Sequence, residues 1–244
     1  MCIAALAWDA HPRWLLVAAG NRDEFHARPA APLARWEDGS GILAGRDLEA
    51  GGTWLGVAEA GRFALVTNYR APGYPQPDRA SRGKLVTDLL AGREPGPGGT
   101  YNPFNLLLAG PQGALLRTNH PGDSHVPLAP GIHGLSNGDF ARPWPKTRCL
   151  TAALGAWLAG EAQAPAALFA ALRDETPPPP APTPEEGPEA PYSPVFIRNP
   201  VYGTRCSTVI AVARDGAGTI VERRFDAQGE PVGETALPFR WPVG

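Results

Sequence analysis

The chain has one methionine and three cysteines in 244 residues. Cys2, Cys149 and Cys206 are odd in number, widely spaced and without a CxxC pair. That argues against a disulfide framework and against a zinc knuckle. No segment approaches the roughly 18 uninterrupted apolar residues of a membrane helix. A basic excess is missing too. With a formal net charge of −2, the chain lacks the positive face that nucleic acid asks for, and nothing resembles a polybasic membrane anchor. The first residues have no basic n-region, and Asp9, His11 and Arg13 break the apolar stretch early, so no signal peptide is expected and a reducing cytoplasm is the expected address. The five histidines are scattered. His120 and His125 flank Pro121-Gly122 in an expected loop with no third ligand within reach, which predicts no metal site.

What is present is strand-rich. Runs at 2–8 (CIAALAW) and 14–19 (WLLVAA) flank a polar turn and read as one hairpin, and 53–59 with 62–69 as a second. Further strands are expected at 104–109, 114–118, 205–213, 218–226 and 231–237, and helices at 82–91, 146–159 and 165–173, the first capped by Ser81. The proline-rich stretch 174–194 is expected as an extended surface loop. The 50 residues after it are too few and too strand-rich for a separate core, so residues 1–244 are expected to form a single domain. Strands grouped between helices without βαβα alternation predict an antiparallel α+β layered fold.

Residue numbers paired across an antiparallel hairpin have a constant sum. Centring the first turn near His11 gives a sum of roughly 22, which sets Cys2 opposite Gly20. The polar cluster Asn21-Arg22-Asp23-Glu24 then emerges beside the thiol, with Asp23 within roughly 8 Å of it. The second hairpin, centred at Ala60-Gly61 with a sum of roughly 121, sets Asn68 opposite Thr53. Its glycines Gly51 and Gly52 allow close backbone approach. A thiol sharing a sheet end with an acidic–basic cluster is an arrangement suited to chemistry. Removal of Met1 would give Cys2 a free amine of pKa about 7.7–8.0, able to take the thiol proton without a histidine. A rival motif, Gly134-Leu135-Ser136-Asn137-Gly138, fits the nucleophile elbow. That motif requires a histidine after the serine, and every histidine here precedes Ser136.

The ordered set MC, NRDEF…RP, GRD, GGTWLG, TNYR, SRG, GLSN, WPK and YGTRCST resembles the NRDE family, relatives of the eukaryotic transport-and-Golgi-organisation protein. It covers most of the chain. That family in turn is similar to N-terminal-nucleophile hydrolases, notably penicillin V acylases and bile salt hydrolases. The resemblance implies a four-layer αββα sandwich of two antiparallel sheets. It also implies an amidohydrolase cleaving a non-peptide amide C–N bond of a small molecule through an acyl-Cys2 intermediate. Asp23 matches the aspartate that holds the nucleophile, Asn68 and Asn137 match asparagines that orient substrate and its oxyanion, and Arg205 matches a strand arginine near the nucleophile. Arg22 is expected to tune the thiolate. Asn21, Arg22, Trp54 and Tyr69 are the expected substrate contacts, and Trp144 is a further candidate for a pocket wall. No cofactor is required. The alternative implied by the eukaryotic relatives is a non-catalytic protein that binds or traffics haem. In the absence of a C-x-x-C-H motif the haem would be non-covalent, with His26 or Cys2 as candidate ligands.

Overall fold

The structure, a computed structural model, describes residues 2–160, 164–179 and 190–243. Two antiparallel sheets lie face to face. The first, in spatial order, holds β10 (Gly131–Leu135), β1 (Cys2–Trp8), β2 (Trp14–Phe25), β11 (Tyr202–Ala213), β12 (Ala217–Phe225) and β13 (Pro231–Arg240). The second runs β3 (Ala30–Arg35), β4 (Ile42–Asp47), β5 (Leu55–Ala58), β6 (Arg62–Asn68), β7 (Phe104–Gly110), β8 (Gly113–Thr118) and β9 (Ser124–Leu128).

The helices cover the outer faces. Helices α2 (Pro145–Ala159) and α3 (Leu168–Leu172) pack on the first sheet, and α1 (Arg82–Leu90) packs on the second. The result is the αββα sandwich. Strand alternation explains the layering. In β1, Ile3, Ala5 and Ala7 face Leu150, Leu154 and Phe169 of the helical layer. Ala4 and Leu6 face the other way, into a core shared with Leu65 and Leu107 of the second sheet. A strand buried on both faces needs no polar alternation, which is why CIAALAW reads as one apolar run. Each leucine so buried contributes about 1.5–3 kcal/mol.

Four strands lie outside the expected set. Three of them, β3, β9 and β10, are edge strands, and β3 and β9 carry Pro32 and Pro127. Proline leaves no N–H for an inner ladder but is tolerated at an edge, so it hid both strands. The fourth, β4, is the short run ILAGRD. Residues 165–173 divide into a 3-10 turn, Pro165–Ala167, and the short α3. Ser81 stands at the N-terminus of α1 but makes no side-chain cap bond. The proline-rich stretch lies partly outside the described residues. Its flanks carry no helix or strand, and at its far end Ala190 and Ser193 are buried, so that end returns to the core.

Both hairpin registers differ from expectation. The first sums to 24, pairing Cys2 with Arg22. The wider turn at 9–13, entered through Asp9 at φ 46°, moves the centre by one residue and the partner by two. A two-residue shift keeps every side chain on its face. In the second hairpin Leu55 pairs with Leu65 and the sum is 120. The strand begins only at Leu55, and Thr53 turns away so that its N–H donates to the Gly83 carbonyl at 3.3 Å. The expected Thr53–Asn68 pair is therefore absent, and Asn68 pairs with Phe104.

Candidate functional site at Cys2

The site lies where β1 begins and β2 ends. Cys2, buried at 8% exposure, points from β1 into the space between the sheets. Arg22 stands directly opposite it on β2, and Cys206 of β11 flanks Arg22 from the other side. The backbone N–H of Asp23 points at the Cys2 sulfur, so thiol and aspartate are neighbours, as the hairpin argument expects. Burial pushes the Cys2 thiol up to about 11; the Asp23 carboxylate adds to the rise, while Arg22 and the Asp23 N–H oppose it. The Asp23 Oδ1 accepts a 2.7 Å bond from Thr204 Oγ1. Burial holds the Cys206 thiol, too, well above its ordinary range, with Glu222 adding to the effect.

Arg205 is placed by an irregularity. Thr204 pairs with Asp23 and Cys206 with Arg22, so Arg205 is an extra residue in β11, a β-bulge. Bulges re-aim side chains at strand ends. Here Arg205 lines the cleft and donates from Nη1 to the carbonyls of Phe25 and Arg28, each at 2.9 Å.

A cleft of about 660 Å³ opens over Cys2, lined also by Arg22, Asp23, Trp54, Asn68, Arg82 and Arg205. Its rim is an ion-pair network joining the two sheets. Asp47, at the end of β4, accepts from Arg28 Nε at 2.7 Å and lies 3.6 Å from Arg22. Glu24 lies 3.8 Å from Arg22 and 4.0 Å from Arg28. Burial works against ionisation of Asp47, but the Arg28 bond, the Ala50 N–H and the charges of Arg28 and Arg22 outweigh it and hold its carboxyl below the usual range. Arg22, Glu24, Arg28 and Asp47, scattered through NRDE…RP…GRD, thus form one structure.

Not every expected site residue reaches the cleft. Asn21 faces the helical layer. Its Nδ2 donates to the carbonyls of Leu172 and Val195 at 2.8 and 2.9 Å, and its Oδ1 accepts from Ser207 at 2.6 Å. It is a clamp on α3, out of a substrate's reach, because strand alternation sends it opposite to Arg22. Tyr69 packs on His120, ring centroids 4.8 Å apart, and Trp144 lies against Gly138; neither lines the cleft. Asn137 is fully buried behind the wall, where its Nδ2 donates to the Asn68 carbonyl at 2.8 Å and its Oδ1 accepts from Ser136. The one Ser136 hydroxyl proton is shared with the Cys2 carbonyl at 3.3 Å, so the GLSN segment braces the start of β1 against the end of β6. His26 also lies outside the cleft, with Nε2 3.0 Å from the Asn199 carbonyl.

Arg82 and Glu222 also line the cleft, without an expected role. Arg82, in the SRG motif, opens α1. Glu222, in a sequence with no marker, projects from β12 and accepts from the Leu33 N–H at 2.9 Å; burial raises its carboxyl, against the pull of that N–H and Arg224.

A profile of the Transport and Golgi organisation 2 family matches residues 1–227. The chain belongs to that family. The "Transport and Golgi organization protein 2 homolog" of Bos taurus is 34% identical over an alignment covering 91% of this chain and 92% of its own length, and the Homo sapiens homolog matches to the same extent. The Transport and Golgi organisation 2 fold has hydrolase neighbours. The N-acylethanolamine-hydrolyzing acid amidase ortholog of Caenorhabditis elegans superposes with a TM-score of 0.53 at 10% identity, covering 85% of this chain and 92% of that one. A mutant C2A conjugated bile acid hydrolase from Clostridium perfringens superposes at 0.54 and 8% identity, covering 97% and 92%. At such identities the likeness is one of fold.

Proposed function

We propose that this chain is an N-terminal-cysteine hydrolase, cleaving a non-peptide amide bond of a small molecule through an acyl-Cys2 intermediate. The observation that carries the reading is the position of Cys2: first residue of an inner strand, thiol in an inter-sheet cleft, Arg22 opposite and Asp23 alongside. With Met1 in place the nitrogen of Cys2 is an amide, and a thiol held near 11 is inert at neutral pH. Removal of Met1 would turn that nitrogen into an amine of pKa about 7.7–8.0. The amine takes the thiol proton and the sulfur attacks the substrate carbonyl. The C–S bond forms, and the oxyanion accepts from the side-chain amide of Asn68. The protonated amine then gives its proton to the departing nitrogen as the C–N bond breaks. Water, deprotonated by the same amine, hydrolyses the thioester and restores Cys2. Asp23 orients amine and thiol, Arg22 and Arg205 supply positive charge, and Asn137 acts as a positioning residue behind Asn68. Trp54 offers an apolar wall. A reducing cytoplasm would keep the thiol free.

Intact mass before and after a β-lactone probe tests this. The expected result is loss of Met1 and one adduct, mapped to Cys2 and absent from Cys2→Ser. A chain that retains Met1 and takes no adduct would sink the reading. Titration with haem, read as a saturable Soret shift lost on Cys2→Ser, would favour haem binding instead.

A further inference from the structure

Arg82 is the first residue of α1, and the backbone delivers it to the cleft. A Cβ on Gly52 would sit 2.2 Å from the Gly83 carbonyl carbon, so the two segments approach this closely only because residue 52 is glycine. The contact seats the start of α1 against the β4–β5 connection and places the Arg82 side chain in the wall that also holds Cys2. There Arg82 makes one hydrogen bond, from Nη1 to the Pro103 carbonyl at 3.0 Å, and no ion pair among the described residues. A guanidinium has five N–H donors. The other cleft arginines are engaged. Arg22 and Arg28 share Glu24 and Asp47, Arg224 lies 3.6 Å from Glu222, Arg205 serves two carbonyls, Arg46 donates to the Gly51 carbonyl and stacks on Trp36, and Arg79 donates to Gln76 and to the Gly99 carbonyl.

Burial pushes the Arg82 guanidinium down to about 10, which leaves it cationic at neutral pH. A half-buried cation with no carboxylate of the described residues at ion-pair distance, and with Glu24 acting on it only from further off, is costly to keep. The planar fork of arginine matches a carboxylate or phosphate-like oxyanion in a way lysine does not. We propose that the ligand of this cleft carries an oxyanion group that pairs with Arg82, making Arg82 the residue that selects anionic over neutral amides. This deepens the hydrolase reading and rests on it for the word substrate, but the pairing is one of binding and can be measured without turnover.

The test uses Cys2→Ala protein and two isosteric ligands, N-hexanoyl-4-aminobenzoate and N-hexanoyl-4-aminobenzamide, by titration calorimetry. The carboxylate is expected to bind at least about tenfold more tightly. Arg82→Gln should bring the ratio to about one, and Arg82→Lys should retain part of it, because charge survives and the fork does not. The corresponding phosphonate separates a planar from a tetrahedral preference, and a preference for either supports the pairing. Equal affinity for carboxylate and carboxamide, no measurable binding of the carboxylate, or a preference that persists in folded Arg82→Gln would each overturn it. The two readings fail separately. A lactone adduct on Cys2 without anion preference removes only the role of Arg82, and anion preference without an adduct removes only the catalysis.

Discussion

At the residue scale the decisive quantity is the charge around one sulfur. Asp23 raises the Cys2 thiol and Arg22 lowers it, both acting against a background of burial that dominates. Asp23→Asn should therefore lower the thiol pKa and speed alkylation of Cys2 by iodoacetamide at pH 8, whereas Arg22→Gln should slow it. Peptide mapping keeps Cys2 distinct from Cys206 and from the exposed Cys149. Amide turnover should move differently, since Asp23→Asn also loses the group that orients the nucleophile; a fall of about 10²-fold is expected. If alkylation and turnover rise together in Asp23→Asn, Asp23 has no orienting role. Cys2, Arg22 and Asp23 were legible from the hairpin sum because alternation and antiparallel pairing are local rules. Asn21 was misread for want of one more step. It is odd where Arg22 is even, and parity alone sends it to the helical face.

At the scale of elements, the site depends on how strand ends are tied together. Asp47 links β4 to Arg28 and Arg22, and its carboxyl is held below its usual range. A depressed acid contributes stability that is fully present above the unfolded carboxylate pKa of about 3.9 and is lost as pH falls through the folded value. Asp47→Asn should cost about 1–3 kcal/mol at pH 7, and the difference from the parent should shrink towards pH 3 in thermal melts. A constant difference across that range would mean packing rather than charge. Gly52→Ala is the second test at this scale. With backbone at 2.2 Å and no side chain to yield, α1 must shift, at about 1–3 kcal/mol, or about 2–4 °C of Tm per kcal/mol. The anion preference assigned to Arg82 should fall with it. Retained Tm and retained preference would show that the close approach is not needed.

For the molecule as a whole, the sandwich and the N-terminal chemistry are separable. The inter-sheet core, with Leu65 and Leu107 fully buried, stands apart from the first residue. Leu107→Ala should cost about 2–5 kcal/mol. One residue inserted before Cys2 should cost almost nothing in a denaturant titration, since a terminus carries little packing. The same insertion should abolish the lactone adduct by converting the amine at Cys2 to a peptide nitrogen. An adduct of undiminished rate in the folded insertion variant would refute the N-terminal mechanism while leaving a reactive thiol.

Much of this was settled by local pattern. The apolar runs of β1, β2, β6, β7 and β11 had to be strands, because their length, branching and turn signals admit little else. Cys2 had to meet the end of the second strand, because a hairpin allows it no other neighbour. The ordered motifs carried the family and, through it, the four layers. What tertiary structure alone decided is everything that crosses between elements distant in sequence. The bulge at Arg205 depends on how β11 meets β2, which no local signal encodes. The proline-bearing edge strands β3 and β9 form only because a finished neighbour offers them a ladder. Arg82 reaches the cleft from α1, which approaches Cys2 only in the closed sandwich, and Glu222 from β12, which sheet order sets beyond β2 and β11. Periodicity tells a residue which face it occupies; only the packed sheets determine what that face looks upon.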